Sequence, residues 1–484
     1  MRSGIRILLA FALVWALSFA PALAQGRTRA LLVACSEFVS QVDLGSATSG
    51  NLHIIGSALI SAEVSPGDLS IEDGTIGTVA ALRDAVENAF LESSEDDLSI
   101  LYLCTHGILS SADDGEVYLL LGDGETETPM SAEQLYALIR EVQGQKLLII
   151  DACHAGALIG RSIPEEPPFL SPFLSDSSVH VLTSSRGDES SWYYDSDHLA
   201  SGAVSYFASA IASGLGLYGI PEADLSGDGC VTLAELHHYL NTAVPSSTSQ
   251  LLSGSAETLL LPVARSSMLS RPLSGFSYGS SLLTAGSPTL DFSFTVTKDT
   301  AVQYRLVEYA DGRWDWENAQ TFMDESENSA ALLPAGRRHR SLTLDLLPEE
   351  SGYLMLQVFS VSDDSLILCS ERLIAVQPLV STGVLHVECR DTLNHSDRQE
   401  LTISVSAGVP IEATVSILDS EGRLIRRLAA SQMTHPSPES TLLLYWDGRS
   451  ESGESVLPGQ YTIAAEARIG GTRQKVTQTI AVGP

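Results

Sequence analysis

Between Arg27 and about Val263 the chain alternates short aliphatic runs with helical stretches, and this alternation restricts the fold more than any other feature. "RALLVAC" (29–35), "LSILYLCTHG" (98–107), "KLLIIDAC" (146–153) and "VHVLTSS" (179–185) are largely apolar and end in polar residues. Such runs suit a parallel sheet buried on both faces. Between them, "TVAALRDAVENAF" (78–90) places Val79, Leu82, Val86, Ala89 and Phe90 on one helical face, with Thr78 as N-cap. Ser131 and Gln134 have the spacing of a capping box, and "GAVSYFASAIASGL" (202–215) predicts a further helix. The expectation is an α/β layer fold, whose ligands sit at the carboxyl ends of the strands. His106 and Cys153 both fall there.

After about residue 265 the texture changes. Alternation of period two takes over in "LDFSFTV" (290–296), "LTLDLL" (342–347) and "LMLQVFSV" (354–361), with turn clusters such as "ADGR" and "PAGR" between strands. A second block of the same kind begins near Ser381. The expected organisation is multi-domain: an α/β domain over 25–265, then β-sandwiches over 270–378 and 381–484.

The first residues indicate the compartment. Arg2 and Arg6 precede an apolar run from Ile7 to Ala20, and Ala22-Leu23-Ala24 offers a small-x-small cleavage site. This predicts a signal peptide over 1–24 and a secreted, extracellular or periplasmic mature protein. Gln25 follows the cut, so a lipid-anchored cysteine is not expected, nor is stable membrane insertion. The formal net charge of −33 argues against nucleic-acid binding, which needs Lys and Arg on phosphates. Six cysteines are sparse for an exported disulfide scaffold.

A nucleophilic thiol needs a base and a donor for the oxyanion. Strands ending in "CTHG" and "DACHAG" supply both if they are neighbours. His106 would take the thiol proton, and Cys153 would attack a carbonyl. The N–H groups of Gly107 and Cys153 would face the developing charge. Gly107 and Gly156 would let the backbone approach a substrate closely. His154 is a competing base, but successive strand-end residues point apart. Cys35 and Cys104 read as small buried hydrophobes.

Here the chain resembles the caspase-like cysteine peptidases, the group of metacaspases, legumain, clostripain and gingipain. The motifs are "YLCTHG" followed by "LLIIDACHAG", close to the metacaspase Asp-x-Cys-His-Ser-Gly with Ala155 for Ser. "LTSSRGDESSWYYDSD" (182–197) and "GAVSYF" extend the similarity, which covers about 27–245. The resemblance implies a caspase-like three-layer α/β sandwich, a His106–Cys153 dyad, protein or peptide substrates, and no cofactor in the chemistry. It also implies that Asp151 and Ser191 line the pocket for the residue before the scissile bond. A carboxylate there favours Arg or Lys, and Asp188 and Glu189 would reinforce the same sign. With a basic preference, Arg161, read as an accessible residue of the Pro-rich loop 160–176, becomes a candidate self-cleavage site.

"DLSGDGCVTLAE" (224–235) has the twelve positions of a calcium loop. Asp224, Ser226, Asp228, the Cys230 carbonyl and Glu235 would be ligands, and Gly229 the turn. The same residues equally suit a turn capping the helix "LAELHHYL", with His237 and His238 on its surface. The stretches 413–428 and 442–467 resemble the immunoglobulin-like domain of the flagellar hook-capping protein, through Asp419 to Gly422, Trp446-Asp447-Gly448 and Pro458 to Tyr461. That resemblance implies a spacer, a stabilising module, or an attachment surface for cell-surface or protein partners. Trp314 and Trp316 read as core, with a binding platform as the alternative. The functional expectation is an exported cysteine endopeptidase. A silent adhesion scaffold and a transpeptidase using the same thioester remain as alternatives.

Overall fold

The computed structural model describes residues 26–110, 116–161, 171–194, 204–264 and 269–484, the last with gaps at 287, 324, 327–328, 331, 345, 348, 363–364, 395–399 and 438. The predicted leader 1–24 and most of the Pro-rich loop (162–170) lie outside the described residues. No described helix is long and apolar enough to cross a membrane.

The first region is built on β1 (Thr28–Ala34), α1 (Ser46–Ser61), β2 (Leu69–Asp73), α2 (Val79–Phe90), β3 (Leu98–Cys104), β4 (His106–Leu109), β5 (Val117–Gly122), β6 (Glu127–Met130), α3 (Ala132–Ile139), β7 (Gln145–Asp151), β8 (Val179–Thr183), β9 (Tyr193–Tyr194), β10 (Val204–Ser205), α4 (Tyr206–Gly214), α5 (Leu233–Ala243) and β11 (Gln250–Leu252). A six-stranded sheet runs β11-β8-β7-β3-β1-β2. Its strands are parallel except β11, which pairs antiparallel with β8 at the edge. One core packs α1, α4 and α5 on one face, and a second packs α2 and α3 on the other. This is the α/β layering that the aliphatic runs predict, because strands covered on both faces are apolar throughout.

Thr78 caps α2 by accepting from the Ala81 N–H at 3.1 Å, and Ser131 and Gln134 form both bonds of the capping box. One helix carries no clear periodic signal, and one starts later than its sequence suggests. Helix α1 is buried on most of its surface, including Asn51 and Gly56, so no polar face marks it. Helix α4 begins at Tyr206 rather than Gly202, because Ser205 is its N-cap and accepts from the Ala208 N–H at 2.9 Å.

Beyond residue 269 the chain is β-rich. Strands 273–278, 289–296 and 336–343 face a second sheet that includes 301–310, 352–362 and 365–377, with Phe292, Phe294, Tyr304 and Val358 in the shared core. Another sandwich pairs 386–389, 401–406 and 442–446 with a five-stranded sheet from 392–394 to 472–483. Its core holds Trp446, fully buried and edge-on to Tyr461 at 5.7 Å. The regions touch through named polar contacts. Trp314 Nε1 donates to the Pro245 carbonyl at 3.1 Å, Arg372 to Thr242 at 3.0 Å, and Arg426 to the Ser253 carbonyl at 2.7 Å.

Candidate active site

Register brings the two predicted groups to neighbouring strand tips. β3 and β7 pair in parallel with Cys104 opposite Asp151, and the Thr105 N–H donates to the Asp151 carbonyl at 3.2 Å. His106 and Cys153 each follow that level by two residues. The contact between the two backbones is closer still. A Cβ added at Gly107 would lie 1.8 Å from the Cys153 carbonyl oxygen, and one at Gly156 would lie 2.8 Å from the Ser185 carbonyl oxygen. Both glycines therefore serve backbone-to-backbone packing behind the thiol. This corrects the expectation that they make room for a substrate.

Cys153 is half-buried and unbridged, as are all six cysteines among the described residues in forming no disulfide. Its thiol lies 3.8 Å from the Ser191 carbonyl. Its main-chain N–H meets no acceptor among the described residues, so it is free to face an oxyanion. His154 adopts φ 59° and points elsewhere: its N–H donates to the Glu189 carbonyl at 2.8 Å, and Nδ1 lies 2.9 Å from the Gly187 carbonyl. It is not the base for the thiol.

The His106 ring lies 4.7 Å from that of Phe38, centroid to centroid, and its Nε2 is 2.8 Å from the Val42 carbonyl. A carbonyl only accepts, so Nε2 carries the hydrogen. In the neutral ring Nδ1 is then the basic nitrogen. Val42 and Phe38 are contributions that sequence reading misses, since a main-chain carbonyl leaves no side-chain signal.

Asp151 is 4 % exposed and sits at the centre of a polar cluster. Oδ1 accepts from Ser191 at 2.9 Å; Oδ2 accepts from Tyr102 at 2.9 Å, from Asn51 at 3.3 Å and from Ser205. Burial pushes its carboxyl upward, and these donors oppose the shift. No Lys or Arg among the described residues pairs with it. Tyr102, Asn51 and Ser205 come from β3, α1 and β10 and were not anticipated.

Other predicted site residues have different roles. Asp188 and Glu189 share a single cation, Arg186, which bonds to Asp188 at 3.0 Å and to Glu189 at 3.2 Å and offsets one of their two charges. Glu189 also accepts from the Thr248 N–H at 2.7 Å. Arg161 is not accessible. It is 4 % exposed, pairs with Glu400, donates to the Leu251 carbonyl at 3.1 Å and lies 3.4 Å from the Tyr445 ring centroid. The loop 224–235 is held by its own amides. Asp224 accepts from the N–H groups of Gly227, Asp228 and Gly229, Asp228 accepts from the Cys230 N–H, and Glu235 accepts from Ser226 and caps α5 through Thr232. Among the described residues no group of three or more His, Cys, Asp or Glu side chains is placed to hold a metal. His237 is half-buried: burial drives its pKa down to about 4, and its Nε2 lies 3.0 Å from the Ser249 carbonyl. Trp316 is 46 % exposed, which corrects its reading as core.

No family model matches the chain, and no curated protein matches it. Similar solved structures include caspase-1 from Spodoptera frugiperda, at 14 % identity over 50 % of this chain and 92 % of that one, with a TM-score of 0.34. A Geobacter sulfurreducens protein matches at 15 % identity over 47 % of this chain and 93 % of that one, with a TM-score of 0.32. Latent PorU from Porphyromonas gingivalis matches at 14 % identity over 49 % of this chain and 24 % of that one, with a TM-score of 0.19. Likenesses of this size carry no argument about activity.

Proposed function

We propose that the chain is an exported, caspase-like cysteine endopeptidase cutting after Arg or Lys. One observation carries the reading: a half-buried thiol with a free N–H stands at a strand tip, with a histidine on the adjoining tip and a buried, cation-free carboxylate two residues upstream. The leader-like residues 1–24 support export.

The substrate's Arg or Lys side chain enters beside Asp151 and Ser191, where its charge supplies the missing counter-ion. Nδ1 of His106 takes the Cys153 proton, and the thiolate attacks the scissile carbonyl carbon. The resulting oxyanion faces the N–H groups of Cys153 and Gly107. Collapse of the tetrahedral species breaks the C–N bond. His106 returns its proton to the leaving amine, and a thioester remains. Water, deprotonated by His106, then cleaves the thioester and restores the thiol. None of these steps calls on a cofactor.

An acyloxymethyl ketone carrying Arg tests the assignment. The wild-type protein is expected to be labelled at Cys153, and Cys153→Ala is not. Equal labelling of both, or none of the wild type, would leave the catalytically silent scaffold as the better reading.

A further inference from the structure

The small sheet β4-β5-β6 carries two side chains that reach one and the same loop. His106 pairs with Leu120 on β5, and Glu127 pairs with Gly122, the next residue but one along that strand. Cross-strand partners share a face, as do residues two apart on a strand, so His106, Gly122 and Glu127 belong to one face. The loop between β1 and α1, residues 35–45, meets all three. A Cβ added at Gly122 would stand 2.7 Å from the Glu37 carbonyl oxygen and 2.7 Å from Phe38 Cδ1, so a side chain there would displace the ring that packs on His106. Glu127 Oε2 accepts from the Val39 and Ser40 N–H groups at 2.8 Å each, and Oε1 accepts from the Ser40 hydroxyl. His106 Nε2 donates to the Val42 carbonyl at 2.8 Å.

Little else fixes the segment that bears this carbonyl. Residues 39–43 are all exposed, Val42 to 82 %. The bonds from the Phe38 N–H to Asp43 and from the Leu44 N–H to the Ser36 carbonyl, 2.9 Å each, lie within the loop. The Gly124 N–H reaches the Glu37 carbonyl at 3.2 Å and ties only the start of the loop to the sheet. Loops with so few buried contacts open at small cost in free energy. The bonds from the Ser40 hydroxyl and N–H hold the Glu127 carboxyl below the ordinary carboxylate range, and His106 acts in the same direction.

We infer that Glu127 is a positioning residue for His106. By gripping Val39 and Ser40 it keeps the Val42 carbonyl on Nε2–H, which fixes the tautomer and leaves Nδ1 for the thiol proton. Without that grip the carbonyl moves off, the ring turns about its side-chain bonds, and either nitrogen can carry the hydrogen. The effect falls on proton transfer and not on substrate binding. The inference rests on the endopeptidase reading, in which His106 is the base, and its test separates the two.

The test is hydrolysis of a blocked Arg amide by the full chain. Glu127→Ala is expected to lower kcat by up to about a hundredfold, as misplacement of a catalytic group can, with KM little changed. Glu127→Gln keeps an acceptor for both N–H groups and is expected to restore most of kcat. An unchanged kcat in Glu127→Ala, a loss that falls on KM, or a Glu127→Gln no faster than Glu127→Ala overturns the inference. A second readout is the downfield NMR resonance of the hydrogen-bonded His106 Nε2–H in protein with isotope-labelled histidine, identified by its loss in His106→Gln. It is expected in the wild type and in Glu127→Gln, and is lost to solvent exchange in Glu127→Ala. Its absence from the wild type, or its persistence in Glu127→Ala, overturns the inference. If the wild type does not cleave the amide, the endopeptidase reading fails, and this resonance decides the role of Glu127 alone.

Discussion

The Ser191 hydroxyl donates to Asp151 at 2.9 Å while the Ser191 carbonyl faces the Cys153 thiol at 3.8 Å. A residue of the loop after β8 thus touches both the buried Asp151 carboxylate and the Cys153 thiol. Asp151→Asn is expected to cut kcat/KM for Arg and Lys substrates by about ten- to a hundredfold, the worth of one charged hydrogen bond. Cleavage after neutral residues should fall less. A fluorogenic series varying only the residue before the scissile bond checks this, and an equal loss across the series would remove Asp151 from recognition.

Gly107→Ala places a methyl against the Cys153 carbonyl, so the two strand tips must separate. Displacement of this kind can cost about a hundredfold in rate, and thiol labelling should slow in parallel. Gly56→Ala is the contrast, because its added carbon meets Leu32 at an ordinary 3.5 Å inside α1. That variant should keep its activity and gain up to about 1 kcal/mol in urea unfolding.

Glu371 is buried and pushed up to about 8 by desolvation, with Gln357 as its hydrogen-bonding partner. Its folded pKa exceeds its unfolded one, so the native state holds the extra proton. The stabilisation is complete below the unfolded carboxylate range and is lost as pH rises toward about 8. Stability should therefore decline across that window by at most about 1.4 kcal/mol per pH unit from this group. Glu371→Gln should flatten the decline, which melting temperatures measured from pH 5 to 8 would reveal.

Glu400→Ala leaves the Arg161 guanidinium buried without its carboxylate. The expected loss is about 3–5 kcal/mol, partly recovered in Arg161→Met/Glu400→Leu, where no charge remains. Urea midpoints of the three proteins provide the comparison.

Local pattern carried the strands of the site. Aliphatic runs before "CTHG" and "DACHAG" made β3 and β7 legible, and their tips hold His106 and Cys153. What surrounds those tips was not legible. Asp151 takes donors from Asn51, Tyr102, Ser191 and Ser205, residues that only the crossovers of the sheet bring together. The partner of His106 is a backbone oxygen, and the carboxylate that hides Arg161 lies 239 positions along the chain. Charge at Asp188 and Glu189 was visible in the sequence, but its partial offset by Arg186 needed the fold of the loop. Helix α1 escaped because burial erased the polar face that periodicity detects.

The seating of Arg161 against Tyr445 and Glu400 bears on how this polypeptide can be divided. A gene shortened at residue 265 would keep His106 and Cys153 yet strip the cover from the turn that follows Cys153. The last hundred residues act as a keystone for that turn, so trimming the tail would loosen the thiol's footing from behind.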